Sequence, residues 1–129
     1  MQKNFDEWNE IKKKTNADDG YLPLYHERQI RWCRLGANVG FEQDGTGQDF
    51  SRPVLILKGL SKNVCIVIPL TASTKTNEYR VSVGIVGDIE AVAIISQIRL
   101  IDTKRLDKQI ATLEKKTFQR IRKAVKDLL

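Results

Sequence analysis

The chain has one histidine, two cysteines, three prolines and one methionine among its 129 residues, and each scarcity removes a class of chemistry. A single imidazole, His26, cannot supply the histidine pair that some ribonucleases use as acid and base. Its place in a connector-like segment reads as incidental. Cys33 and Cys65 stand far apart, each inside a stretch that reads as a strand, with no CxxC and no carboxylate cluster at ligand spacing. They read as small buried hydrophobes, and a structural zinc site is not expected. No run approaches the roughly 18 consecutive apolar residues that a membrane span needs. The start, MQKNFDEWNE, carries acids where a secretory leader would be basic and then apolar, so the expectation is a cytoplasmic protein with no membrane partner. There is no internal repeat and no low-complexity tract.

What is present fits one ordinary globular domain, with 41% hydrophobic and 29% charged residues. The net charge of +6 is unevenly placed. Residues 1–25 sum to −1, residues 26–102 to +1, and residues 103–129 to +6, so the whole excess sits in the last segment. A basic helix there can attract a polyanion through its summed field, or be simply the wet face of an amphipathic helix.

Along the chain, Asn4 is placed to cap a helix, with Glu7 in a capping-box position and Phe5, Trp8 and Ile11 on one face. This gives an N-terminal helical extension over residues 1–25. The middle is β-rich. QIRWCRL alternates, with Ile30 and Trp32 on one face and Arg31, Cys33 and Leu35 on the other. A glycine-containing loop follows, and it lacks the Gly-Lys-Ser/Thr ending of a P-loop. Strands are expected at Val54–Leu57, Val64–Leu70, Tyr79–Val83 and about Ala91–Leu100, with a further short one at 108–113. Phe118, Ile121, Val125 and Leu128 then mark an amphipathic C-terminal helix. Short strands without intervening helices indicate an antiparallel sheet or small barrel, an α+β domain that is mainly β, over residues 26–129.

The stretch DFSRPVLIL sets a charged arginine and a proline before four apolar residues. Proline is tolerated at a strand's first position, so Pro53 marks the strand entrance and Arg52 lies just outside. VCIVIPLT ends the opposite way, in Thr71. If these two strands are antiparallel neighbours, Arg52 and Thr71 share one rim of the sheet, a bidentate donor beside a hydroxyl. On spacing alone, a rim arginine bridged to an acid and an ordinary strand-ending threonine explain the same residues.

The ordered set LGANVGFEQDG…RPVLIL, IPLT and SQIRLIDTKRL resembles the MazF/PemK-type toxins, messenger-RNA interferases of type II toxin–antitoxin systems. The resemblance runs from about residue 28 to the C-terminus. It implies a small PemK-like, SH3-like antiparallel β-barrel closed by a C-terminal helix, paired as a homodimer and bound by a cognate antitoxin, through which any DNA contact is made. It also implies cleavage of single-stranded RNA with no cofactor or metal. The ribose 2′-hydroxyl attacks the adjacent phosphorus, leaving a 2′,3′-cyclic phosphate and a 5′-hydroxyl. Arg52 and Thr71 match the catalytic positions, and RNA contacts fall to Glu42, Gln43, Ser73, Ser96 and Gln97. Two departures stand out. The position before Gln97, often acidic in the family, is Ser96 here, and the loop from Gly36 to Ser51 is longer than in compact members.

Two other functions fit the same scaffold: a non-catalytic CcdB-like toxin that binds a protein target such as DNA gyrase, and a binding-only module that has lost activity. Retained Arg52 and Thr71 weigh against the first, and Ser96 weighs for it. The N-terminal helix either caps the barrel or covers a groove that an antitoxin segment otherwise fills. Deleting residues 1–20 raises antitoxin affinity or RNA access if it is a cover, and leaves both unchanged in titrations if it is a cap.

Overall fold

The computed structural model of the chain describes residues 24–35 and 51–129. The expected N-terminal helix and the loop carrying Glu42 and Gln43 lie outside the described residues. Seven strands and one helix follow in order: β1 (Gln29–Arg34), β2 (Ser51–Gly59), β3 (Val64–Thr71), β4 (Arg80–Val86), β5 (Ile89–Ile94), β6 (Arg99–Asp102), β7 (Leu106–Thr112) and α1 (Lys115–Leu128). Every pairing is antiparallel, in the order β4-β5-β3-β2-β1-β7, with β6 also beside β3. The sheet curls into a half-barrel, as the sequence indicates.

The unbroken apolar run Val54–Leu57 is explained by burial on both sides of β2. Val54 and Ile56 join Cys33, Cys65, Val67, Ile101 and Leu106 in a cluster drawn from the five curled strands β7-β1-β2-β3-β6. Leu55 and Leu57 point the other way, into a cluster with Ile68, Leu70, Val83 and the buried stripe of α1, Phe118, Ile121 and Val125. A strand buried on both faces carries no polar alternation. Full burial of each such side chain contributes about 1.5–3 kcal/mol. Leu128, expected on the same helical stripe, is 37% exposed at the last turn, beyond the reach of the sheet. Among the described residues no helix is long and apolar enough to cross a membrane.

Two sequence expectations are corrected. The run Ala91–Leu100 is not one strand. β5 pairs with the end of β3 through Leu70↔Ala93 and Thr71↔Val92, whereas β6 pairs with its beginning through Val67↔Arg99. Continuing the β5 register would set Val67 against Ser96; the three-residue 3-10 turn Ile95–Gln97 takes up the difference. Hydrophobicity does not report this break, because Ile94 and Ile95 are both buried. Pro53 is likewise not the first residue of its strand. β2 begins at Ser51, with Arg52 opposite Cys33 and Pro53 opposite Trp32, because β1 extends past the point where β3 pairs.

The stretch SQIRLIDTKRL fastens the half-barrel. Thr103, 2% exposed, donates from its N–H to the Asn63 carbonyl at 2.9 Å and from its hydroxyl to the Lys62 carbonyl at 2.8 Å. These bonds pin the turn between β6 and β7 onto the β2–β3 hairpin. The Asp102 carboxylate accepts from the Lys104 N–H at 2.8 Å, and Arg105 donates to the Arg34 carbonyl at 3.0 Å.

Both cysteines are free and buried. Burial pushes the Cys33 thiol up to about 12 and the Cys65 thiol up to about 11. An acid whose folded pKa is raised stays protonated in the fold while the unfolded chain ionises first. Its effect on stability is therefore flat below the ordinary thiol range and becomes a progressive loss from there towards pH 11. Urea melts across pH should show this alkaline decline, less steep in a Cys33→Ala/Cys65→Ala variant that is less stable throughout. Thiol reagents should label neither cysteine until the chain unfolds.

Candidate active site

At the open end of the half-barrel, β2 begins and β3 ends. The β2–β3 register pairs Val54 with Pro69. Arg52 lies two residues before Val54 and Thr71 two residues after Pro69, so both emerge at the same end of the β2–β3 pair. Strand alternation gives the two side chains one face, that of Val54, Ile56 and Val67, whereas Trp32, Pro53 and Leu70 belong to the opposite face, so the cleft at this rim draws on both faces.

Both residues line one cleft of about 570 Å³. Its walls are Trp32 from β1, Arg52 and Pro53 from β2, Leu70 and Thr71 from β3, Ile110 from β7, and the β4–β5 hairpin from Val86 to Ile89. Ala72 and Ser73 continue from β3. Arg52 is half-buried, and its Nη1 donates to the Leu70 carbonyl at 3.1 Å. That bond holds the guanidinium against the end of β3. The Thr71 hydroxyl oxygen accepts from the Ser73 N–H at 3.2 Å, which orients the hydroxyl and leaves its own hydrogen to donate. A bidentate cation and an oriented hydroxyl on one rim suit an anionic tetrahedral group.

The other expected contact residues divide. Ser73 lines the cleft with Arg52 and Thr71. Ser96 is exposed and Gln97 half-buried on the 3-10 turn after β5, and neither lines the cleft. That turn lies beside β3 between the levels of Leu70 and Val67, behind Thr71 along the strand. Glu42 and Gln43 lie outside the described residues. His26 sits in a separate cavity of about 510 Å³ with Tyr25, Glu27 and the β2–β3 hairpin residues Gly59–Lys62. That cavity meets β2 at Gly59, seven residues and roughly 23 Å along the strand from Arg52.

Two residues of the cleft were missed by sequence reasoning. Trp32 is 39% exposed, although Ile30 on the same face is fully buried, because the core beneath α1 stops short of it. The alternation of QIRWCRL gave its face but not the cleft. Asp88 occupies the two-residue turn between β4 and β5, where Gly87 has φ +63° and Val86 pairs with Ile89. Glycine first in a two-residue hairpin loop is a readable turn signal, but only the folded register brings that turn to the Arg52 rim.

Comparison with known proteins places this architecture. The family model of the PemK-like, MazF-like toxins of type II toxin–antitoxin systems matches residues 26–129. Among solved structures, the fold is similar to MazF from Deinococcus radiodurans at 21% identity, with a TM-score of 0.67 over 84% of this chain and 97% of that one. It is similar to the Mycobacterium tuberculosis toxin MazF-mt6 at 22% identity, with a TM-score of 0.60 over 78% and 94% of the two chains. An endoribonuclease from a Mycobacterial species, solved in complex with its cognate antitoxin, is similar at 16% identity and a TM-score of 0.63, over 81% and 93%. No curated protein matches the chain. With most of its length matched by the family model, and the same fold in these structures, the chain belongs to the PemK-like, MazF-like toxin family of type II toxin–antitoxin systems.

Proposed function

We propose that the chain is the toxin of its system, a metal-independent endoribonuclease that cleaves single-stranded messenger RNA at the Arg52–Thr71 rim. The observation that supports this reading is that Arg52, at the start of β2, and Thr71, at the end of β3, line one cleft. In this reading residues 26–129 form the nuclease body and residues 1–25 a helical extension. The toxin works in the cytoplasm as a homodimer and is held inactive by its antitoxin.

In-line attack of a ribose 2′-hydroxyl on the neighbouring phosphorus forms the new O–P bond and breaks the bond to the 5′-oxygen; the hydroxyl proton passes to water, and water returns one to the departing 5′-oxygen. Negative charge builds on the phosphorane oxygens in between. Arg52, fixed by its bond to Leu70, stabilises that charge, and the Thr71 hydroxyl donates to the same oxygens. These fixed donors supply the electrostatic stabilisation that a metal ion gives in other nucleases. Ser73 binds the phosphate beside them. Glu42 and Gln43 contact the RNA from the loop between β1 and β2, and Ser96 and Gln97 contact it where it leaves the cleft along β3.

The test is incubation of the purified protein with mixed-sequence RNA in chelator, with mapping of the product ends. Cleavage leaving 2′,3′-cyclic phosphates is expected. Arg52→Ala should lower the rate roughly 100- to 1,000-fold, and Thr71→Ala at least about tenfold, with the thermal melt of each variant near that of the parent. Intact RNA, or cleavage undiminished in Arg52→Ala, would overturn the reading.

A further inference from the structure

Arg52, Thr71 and Ser73 suffice for a phosphate, yet most of the cleft is lined by apolar side chains: Trp32, Pro53, Leu70, Val86, Ile89 and Ile110. Its volume of about 570 Å³ lies in the range of small-ligand sites. A group that follows a phosphate into such a space has an apolar face and a polar edge, as a nucleobase does. The cleft offers a counterpart to each. Trp32 presents a large aromatic surface that the core does not cover. Asp88 is exposed on the hairpin turn, and no hydrogen bond or ion pair engages it among the described residues. A register shift between Ser82 and Gly84, with Gly84 at φ +85°, marks a bulge in this hairpin. Bulges bend a strand pair and re-aim what lies beyond them.

We propose that the cleft beside the Arg52–Thr71 rim is a guanine-reading subsite, in which Trp32 stacks on the base and the Asp88 carboxylate accepts hydrogen bonds from its Watson–Crick edge. The proposal rests on the nuclease reading of the same site. Unstacked RNA bases are commonly held on aromatic rings and read along their edges. An ionised carboxylate only accepts, so it selects an edge with adjacent donors. Guanine presents two, N1–H and the N2 amino group. Adenine and cytosine set a ring-nitrogen acceptor beside their amino group, and uracil flanks its N3–H with two carbonyls. Each meets a carboxylate with at least one repulsive contact. Asp88 is thus a specificity residue and takes no part in bond breaking.

The experiment uses 2′-O-methyl oligonucleotides, which bind but cannot be cleaved, together with a randomised single-stranded RNA library for cleavage mapping. The parent should bind a guanine-containing oligonucleotide about fivefold or more tightly than one with inosine there, since inosine lacks only the N2 amino group. Asp88→Asn, on an exposed turn, should erase that difference and relax the guanine preference in the library at that position, since an amide presents one donor and one acceptor and pairs with the edge of several bases. Trp32→Ala should weaken binding roughly tenfold at every sequence, and Trp32→Phe should restore most of it. An inosine penalty equal in the parent and in Asp88→Asn, or Arg52-dependent cleavage with no guanine preference, overturns the subsite and leaves the nuclease standing. Guanine-selective binding lost in Asp88→Asn, with no cleavage of any RNA, supports the subsite and sinks the nuclease. Absence of both binding and cleavage overturns both.

Discussion

The antiparallel register of β2 and β3 is the constraint on which the rest of the molecule depends. It makes Arg52 and Leu70, 18 positions apart in sequence, hydrogen-bonded neighbours, and it brings Thr71 to the same end of the strand pair as Arg52. A slip by one residue would exchange the faces of β2, moving Val54 and Ile56 out of the half-barrel and Leu55 and Leu57 out from under the helix. Here such a slip merely trades one buried apolar set for another, so hydrophobic pattern alone specifies the register weakly. A further fixed point lies at the hairpin, where Thr103 ties β2–β3 to the β6–β7 turn, while at the opposite end Arg52 adds one side-chain hydrogen bond to the Leu70 carbonyl.

That division explains why stability and the proposed chemistry sit on the same two strands without competing. The middle of β2 and β3 is buried on both faces and sets the backbone in place. The strand ends emerge where α1 and the curl no longer cover them, leaving Arg52, Thr71 and Trp32 part-exposed on a rigid base. Fixed donors at a preformed site need little reorganisation as charge develops, which is the condition for electrostatic stabilisation of a phosphorane.

Much of this was legible in the sequence, and the remainder was not for identifiable reasons. The apolar runs, the C-terminal stripe of Phe118, Ile121 and Val125, and the family resemblance gave the antiparallel half-barrel with its helix. The break at Ile95–Gln97 was hidden because the buried residues on either side, Ile94 and Ile95, carry no polar interruption at the turn's start. Pro53 misled because proline's usual place at a strand entrance ignores that β1 extends the ladder past the end of β3 pairing. Trp32 and Asp88 escaped notice because no motif joins them. They meet at the cleft only through a strand alternation and a hairpin tip 56 residues further on. The SQIRLIDTKRL stretch carried the resemblance, and its visible work in the structure is largely structural, through Asp102, Thr103 and Arg105.

The most direct measurement is a crystal structure of the protein with a short RNA whose reactive ribose lacks its 2′-hydroxyl. The Arg52 guanidinium and the Thr71 hydroxyl should meet oxygens of one phosphate, each at about 3 Å. An RNA seated elsewhere on the surface, with that rim unengaged, would contradict it.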